Sequence, residues 1–168
     1  MKTRREKQEF IENLRFCYHP NLREQFCAGT LGPIWSQKYP QIFDKEDCGL
    51  YASQSEGGYH FHEWLAAILL YEATGYLSLI EKYGSKNHAR KMEIWNAVAP
   101  PEIRELPNEC GWPDLFVFSP DHSDWFFCET KGKDHISPQQ LECFREIHRT
   151  CGKKVYLIQF DELCSGAE

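Results

Sequence analysis

The stretch that most constrains this chain is GWPDLFVFSPDHSDWFFCETKG, residues 111–132. Two runs dense in aromatic and β-branched residues, 114–118 and 125–131, flank SPDHSD, a turn composition, so the stretch reads as a hairpin. ISPQQLECFREIHRT follows as a helix with Ser137 at the N-cap and Pro138 at the first helical position. Gly152 closes that helix, and KVYLIQF supplies another strand. Upstream, EGGYHFHEWLAAILLYEATGY carries Phe61, Trp64, Leu65, Ile68, Leu69 and Glu72 at a helical period, and Leu70 and Tyr71 widen the apolar face. A helix apolar on most sides is buried. A further helix over roughly 86–98 ends before Pro100 and Pro101. The first fifteen residues read as a mostly polar helix with Phe10, Ile11 and Leu14 on one stripe. Residues 19–55 read as irregular, punctuated by Pro20, Pro33, Pro40, Gly29, Gly32 and Gly49. The order helix, helix, strand, strand, helix, strand predicts one α/β domain.

The hairpin's open end carries charge. Folded between Asp121 and His122, it sets Asp114 opposite Glu129, and alternation puts Glu129 and Lys131 on one face with Thr130 on the other. Two converging carboxylates repel, and burial raises their pKa values unless a cation joins them. Oxygen ligands of this kind suit Mg²⁺ or Mn²⁺, with the Thr130 carbonyl as a further oxygen. Lys131 beside such an ion would steady a phosphate or orient and deprotonate a water, a set suited to phosphodiester hydrolysis. Taken alone, the triplet also reads as an ordinary cross-strand ion pair.

A fuller pattern favours the first reading. Gly111-x-Pro113-Asp114-Leu115, Glu129-Thr130-Lys131-Gly132 and Ser137-x-x-Gln140 together resemble the VRR-NUC family of PD-(D/E)xK nucleases, which includes the Fanconi-associated nuclease domain. The likeness is dense from Gly111 to Phe160 and looser over the apolar helix. It implies a restriction-endonuclease-like core, a central mixed β-sheet flanked by helices, over 56–168 of a single domain spanning 1–168. Residues 1–50 are an N-terminal extension without an assigned role. It further implies a metal-dependent endonuclease for branched DNA, flaps or four-way junctions, and a homodimer suited to cutting both strands of a junction.

Carried over by position, Asp114, Glu129, Thr130 and Glu56 hold Mg²⁺ or Mn²⁺, Lys131 is the catalytic lysine, and Gln140 supports the site or contacts the DNA backbone. Glu56 matches the family's Glu-Gly step ahead of the apolar helix. Glu63 is the alternative helix acid and Glu72 a third, and an acid at Glu56 also reads as complement to a helix dipole. Thr130 stands where the family usually has valine, and a side chain pointing away from the metal face is expected to tolerate that change. DNA contacts are expected from Lys133, His135, Lys86 and Arg90.

The totals fit this reading without demanding it. A chain of 168 residues, 42% hydrophobic and 14% aromatic, folds around a core. No run of apolar residues is long enough to span a membrane, and MKTRREKQEFIENLR lacks a secretory apolar core, so an intracellular protein is expected, cytoplasmic in a prokaryote or nuclear in a eukaryote. The net charge of −6 requires that any DNA-facing surface be local, drawn from MKTRREK, SKNHARK, Lys131 with Lys133, or Lys153 with Lys154. The eight cysteines form no CxxC pair and read as small apolar residues. Cys17, His19, Cys27 and Cys48 would be the members of a zinc site, and hence of an interaction module, if there were one. Tyr18, Trp35 and Tyr39 read as core rather than base-stacking residues, and His60 and His62, two apart on a helix, cannot grip one ion together.

Overall fold

The computed structural model describes residues 9–81, 83–85, 87–107 and 111–164. It opens with strand β1 (Ile11–Tyr18), then helices α1 (Pro20–Cys27), α2 (Leu31–Lys38) and α3 (Lys45–Gln54) and a 3-10 turn at Ser55–Gly57. Helix α4 (Phe61–Thr74), strand β2 (Leu77–Ile80), and helices α5 (Ala89–Val98) and α6 (Pro101–Arg104) follow. The chain then forms β3 (Leu115–Phe118), β4 (Trp125–Lys131), α7 (Pro138–Cys151) and β5 (Val155–Glu162). The strands make one five-stranded mixed sheet in the order β1-β5-β4-β3-β2, flanked by helices. β5 runs parallel to β4 and β1, whereas β2, β3 and β4 form an antiparallel meander.

The hairpin keeps the expected register, with Leu115 opposite Cys128 and Phe118 opposite Trp125. Its turn closes on Asp121, which accepts from Ser119 Oγ at 2.7 Å and Ser123 N at 3.0 Å. Side chains alternate between two cores. Leu115, Val117 and Cys128 face α4 and the α1–α3 aromatics Phe26, Trp35 and Tyr51. Phe116, Phe118 and Phe127 face Trp95 of α5, Ile103 of α6, and Phe144 and Ile147 of α7. α7 starts on a reciprocal capping box between Ser137 and Gln140, with Pro138 inside its first turn, and stops at left-handed Gly152 (φ 73°).

Four readings of the sequence need correction. The segment read as an N-terminal helix is β1 over its described part, because the far edge of β5 offers unpaired backbone groups along its length. A helix there would leave those groups without partners, whereas β1 pairs from Ile11↔Val155 to Tyr18↔Glu162. Residues 19–55 are helical rather than irregular. Pro20 initiates α1 behind the His19 N-cap instead of breaking a helix, and Asp44 and Asp47 form the capping box of α3. The apolar helix starts at Phe61 and not at Glu56, since left-handed Gly58 (φ 70°) and His60 (φ 65°) interrupt the chain ahead of it. β2 and α6 carry too few residues to show a period, and the sequence reading passed over both.

The described residues ahead of Leu50 therefore belong to the sheet and to its α4-side core, except that Phe10 and Ile11 pack in the α7-side core. Tyr18, Trp35 and Tyr39 are buried, as core residues should be. No helix among the described residues is long and apolar enough to cross a membrane.

Candidate metal centre at the sheet's end

β4 brings Glu129, Thr130 and Lys131 to the end of the sheet, and Asp114 stands just ahead of β3 beside them. Asp114 N donates to Glu129 Oε2 at 3.2 Å. Asp114 Oδ2 accepts from Thr130 N at 2.8 Å and from Thr130 Oγ1 at 2.7 Å. Glu129, fully buried, takes a hydrogen bond on Oε1 from Gln140 Nε2 at 2.6 Å and the Lys131 ammonium at 2.8 Å. Lys131 Nζ also lies 3.2 Å from Asp134 Oδ2.

Alternation places Glu129 and Lys131 on the α7 face and Thr130 on the α4 face. Thr130 nevertheless reaches the Asp114 carboxylate with its hydroxyl, which corrects the expectation that its side chain stands clear of the site.

Glycines permit the close packing. Gly111 is left-handed (φ 70°), and a Cβ there would sit 3.3 Å from Gln140 Cγ. A Cβ on Gly132 would meet His62 Cε1 at 2.8 Å, so the strand's exit admits no larger residue without moving His62. The His62 ring is itself held by stacking on Phe160, with centroids 5.1 Å apart and an interplanar angle of 4°. Behind Asp114, Tyr83 Oη donates to the Pro113 carbonyl at 2.7 Å and Glu81 N to the Asp114 carbonyl at 2.8 Å.

The electrostatics follow from burial. Burial first, then the Glu129 and Glu63 charges, push the Asp114 carboxyl well above the usual carboxylate range, against the two Thr130 hydrogen bonds. Glu129 is raised by burial too, although Lys131, the Asp114 amide and Gln140 offset part of it. Burial works against the Lys131 ammonium, but Glu129 and Asp134 outweigh it and hold the lysine above its ordinary value. Lys131 thus pairs with Glu129, whereas Asp114 relies on Thr130, so two neighbouring acids whose charges repel are incompletely compensated, oxygen donors of the kind a hard divalent cation takes.

Glu63, in the first turn of α4, is the helix acid whose charge is felt at Asp114. Glu56 is exposed on the 3-10 turn, which packs against α1 and α3. The preference for Glu56 is therefore corrected to Glu63. The cause is the break at Gly58 and His60, which detaches the Glu-Gly step from the helix. Glu72 lies near the far end of α4 and accepts a hydrogen bond from Tyr39 Oη.

The expected DNA contacts divide. Lys133 and His135 are exposed just after Lys131, and Lys133 lines a groove of about 840 Å³ with Arg23, His62 and Gly132. Arg90 is committed to Asp44 at 3.0 Å, and Lys91 is buried against Asp47 at 2.9 Å, so these two fasten α5 to the α3 end and leave the SKNHARK cluster mostly structural. Lys86 lies outside the described residues, as does MKTRREK. Lys153 binds Asp124 Oδ1 at 2.9 Å and the Trp125 carbonyl at 2.6 Å, and Lys154 lies 3.6 Å from Glu12.

The structure does not bring Cys17, His19, Cys27 and Cys48 together as one close group of ligand atoms. His19 caps α1, its Nδ1 accepting from Asn21 N at 3.2 Å. Among the described residues, the one group of His, Cys, Asp and Glu with ligand atoms close enough to share an ion is His60, Glu63 and Glu81. The sequence reading missed Glu81, which no local pattern marks. It joins the site only because β2 lies beside β3 in the sheet.

No protein-family model, curated protein or solved structure matches this chain.

Proposed function

We propose that this chain is a divalent-metal-dependent DNA endonuclease with a restriction-endonuclease-like core, acting on branched DNA such as flaps or four-way junctions. The observation that carries the reading is the Asp114–Glu129 pair, with Glu129 fully buried and Asp114 partly so. The Asp114 amide joins the two residues at 3.2 Å, Lys131 stands 2.8 Å from Glu129, and all three lie at one end of a mixed sheet. The order α4–β2–α5–α6–β3–β4–α7–β5, with acids at the head of α4, before β3 and on β4, supports the reading.

The oxygen donors are of the type Mg²⁺ or Mn²⁺ takes. Asp114, Glu129 and Glu63, whose oxygens do not form one close group in the ion-free arrangement, would draw together to hold the ion with the Thr130 carbonyl, and a bound ion would supply Lewis-acid stabilisation of phosphate charge and a more acidic water. The chain's own groups do the rest. Lys131 donates to a phosphate oxygen or orients the attacking water, with Asp134 and Glu129 keeping it charged. Gln140 fixes the rotamer of Glu129. Arg23 and Lys133 offer positive contacts to the DNA backbone along the groove, His135 is exposed two residues after Lys133, and phosphate contacts position DNA without reading bases.

Labelled duplex, single strand, 5′ flap, 3′ flap and four-way junction, incubated with Mg²⁺ or Mn²⁺, test the proposal directly. Metal-dependent cutting lost in Lys131→Ala and Asp114→Asn is expected. Binding without cutting of any substrate would replace it with a catalytically silent nucleic-acid-binding protein.

A further inference from the structure

His60, Glu63 and Glu81 converge from three separate parts of the chain: the residue before α4, the first turn of α4, and the residue after β2. Their ligand atoms all lie within 4.8 Å of one another. His60 Nδ1 is 3.5 Å from Glu81 Oε1 and 3.8 Å from Glu63 Oε1, and the His60 side chain is only 11% exposed. Nδ1 is buried and has no hydrogen-bond partner. A protonated imidazole drawn between two carboxylates should close to hydrogen-bond distance, as Lys131 does on Glu129 at 2.8 Å. The 3.5 Å separation matches that of neighbouring ligands around one ion, which bonds of about 2.1 Å set about 3.0–3.5 Å apart, and the 3.8 Å separation would close to it by a small side-chain movement.

The backbone agrees. His60 (φ 65°) and Glu81 (φ 44°) are two of the three non-glycine residues with positive φ among the described residues. Backbone strain of this kind persists where surrounding structure enforces it, and it gathers at ligand sites. The cluster also touches the centre already described. Glu81 N donates to the Asp114 carbonyl at 2.8 Å, and the Glu63 charge acts on the Asp114 carboxyl. Glu81 and Asp114 together line a cavity of about 500 Å³ with Trp95, Trp112 and Arg104, which gives an ion and a phosphate a way in.

We infer that His60, Glu63 and Glu81 hold a second divalent ion beside Asp114, and that this position takes a first-row transition metal, Mn²⁺ included, in preference to Mg²⁺. The imidazole nitrogen sets the preference, because Mg²⁺ favours an all-oxygen octahedral shell. A part for this ion in cutting DNA rests on the nuclease reading, but its binding does not. Glu63 would then serve both positions, in the manner of two-metal phosphodiester sites.

Mn²⁺ titration of the metal-free full chain, followed by electron paramagnetic resonance, tests the inference. Two bound ions per chain are expected, with pulsed measurement showing nitrogen-14 coupling to one of them. His60→Asn, which retains a residue tolerant of the left-handed backbone, and Glu81→Gln should each reduce the count to one. His60→Asn should also abolish the nitrogen coupling, and Glu129→Gln should remove the other ion. A single ion that depends on Glu129 and ignores both cluster variants would overturn the inference and leave the nuclease reading standing. Nitrogen coupling that persists in His60→Asn would overturn it as well. No bound ion in the wild type would sink both.

Discussion

Gln140 joins the start of α7 to the centre of the sheet: its amide nitrogen donates to Glu129 Oε1 at 2.6 Å while its oxygen accepts from Ser137 N at 3.1 Å. One side chain therefore closes a helix cap and fixes a buried acid. Gln140→Ala should weaken Mn²⁺ affinity or turnover by about 10–100-fold, the usual effect of losing a group that orients a ligand. Gln140→Glu should preserve the cap but set a third carboxylate beside Glu129. Calorimetric Mn²⁺ titration would separate the two, since only the first should leave α7 frayed and the site weak together.

Asp114 and Glu129 make the metal-free protein sensitive to alkali. Burial first, then mutual repulsion in the case of Asp114, raises both carboxyls, so the folded state keeps their protons to higher pH than the unfolded chain does. Their stabilising contribution is present below the ordinary carboxylate range of about pH 4 and is lost as pH rises through the folded values. Asp114→Asn should thus melt higher than wild type at pH 7.5 in chelator, by about 1–2 kcal/mol or about 2–8 °C, while losing cleavage. The gap should close at pH 4 and on adding Mn²⁺ to the wild type. A variant that melts lower at pH 7.5 would contradict the assignment of Asp114 as a charge-strained acid.

Thr130→Val removes the hydroxyl that donates to Asp114 Oδ2 at 2.7 Å but retains the amide bond at 2.8 Å. Loss of one hydrogen bond to a charged acceptor costs about 1.5–3 kcal/mol at most, softened here because Asp114 keeps its second donor. Cleavage should fall less than about tenfold. A larger fall would mean that the hydroxyl, and not the amide, aims the carboxylate.

Lys91 tests the frame rather than the centre. Its ammonium, buried against Asp47 at 2.9 Å and the Ile80 carbonyl at 2.6 Å, pins α5 to α3 and to the end of β2. Lys91→Ala leaves Asp47 buried and unpaired and should cost about 3–5 kcal/mol in urea unfolding, whereas Lys91→Met with Asp47→Leu should recover most of it. Because β2 runs into Glu81, the single variant should also lower the Mn²⁺ count.

The hairpin, its register, α7 and the Asp114–Glu129–Lys131 grouping were legible because each rests on local pattern: runs of aromatic and β-branched residues, a turn of Asp, Ser and Pro, a serine N-cap followed by proline. What escaped depends on pairing at a distance. β1 has a stripe that fits a helix, and only the open edge of β5 decides otherwise. Glu56 satisfied a motif, yet the left-handed residues at 58 and 60 take it off the helix, and no spacing rule registers a backbone sign change. Glu81 and Lys91 belong to the site and its frame through sheet order alone.

The parallel pairing of β1 with β5 joins residues such as Tyr18 and Glu162, 144 positions apart. During synthesis, β4 would carry Glu129 and Lys131 with one side of its ladder open until residues 155–162 emerge from the ribosome. Long-range closure of this kind is slow relative to local hairpin and helix formation. Both acids would then remain hydrated and unaligned, so that any capacity to cut DNA arises only after residues 155–162 have been made and paired.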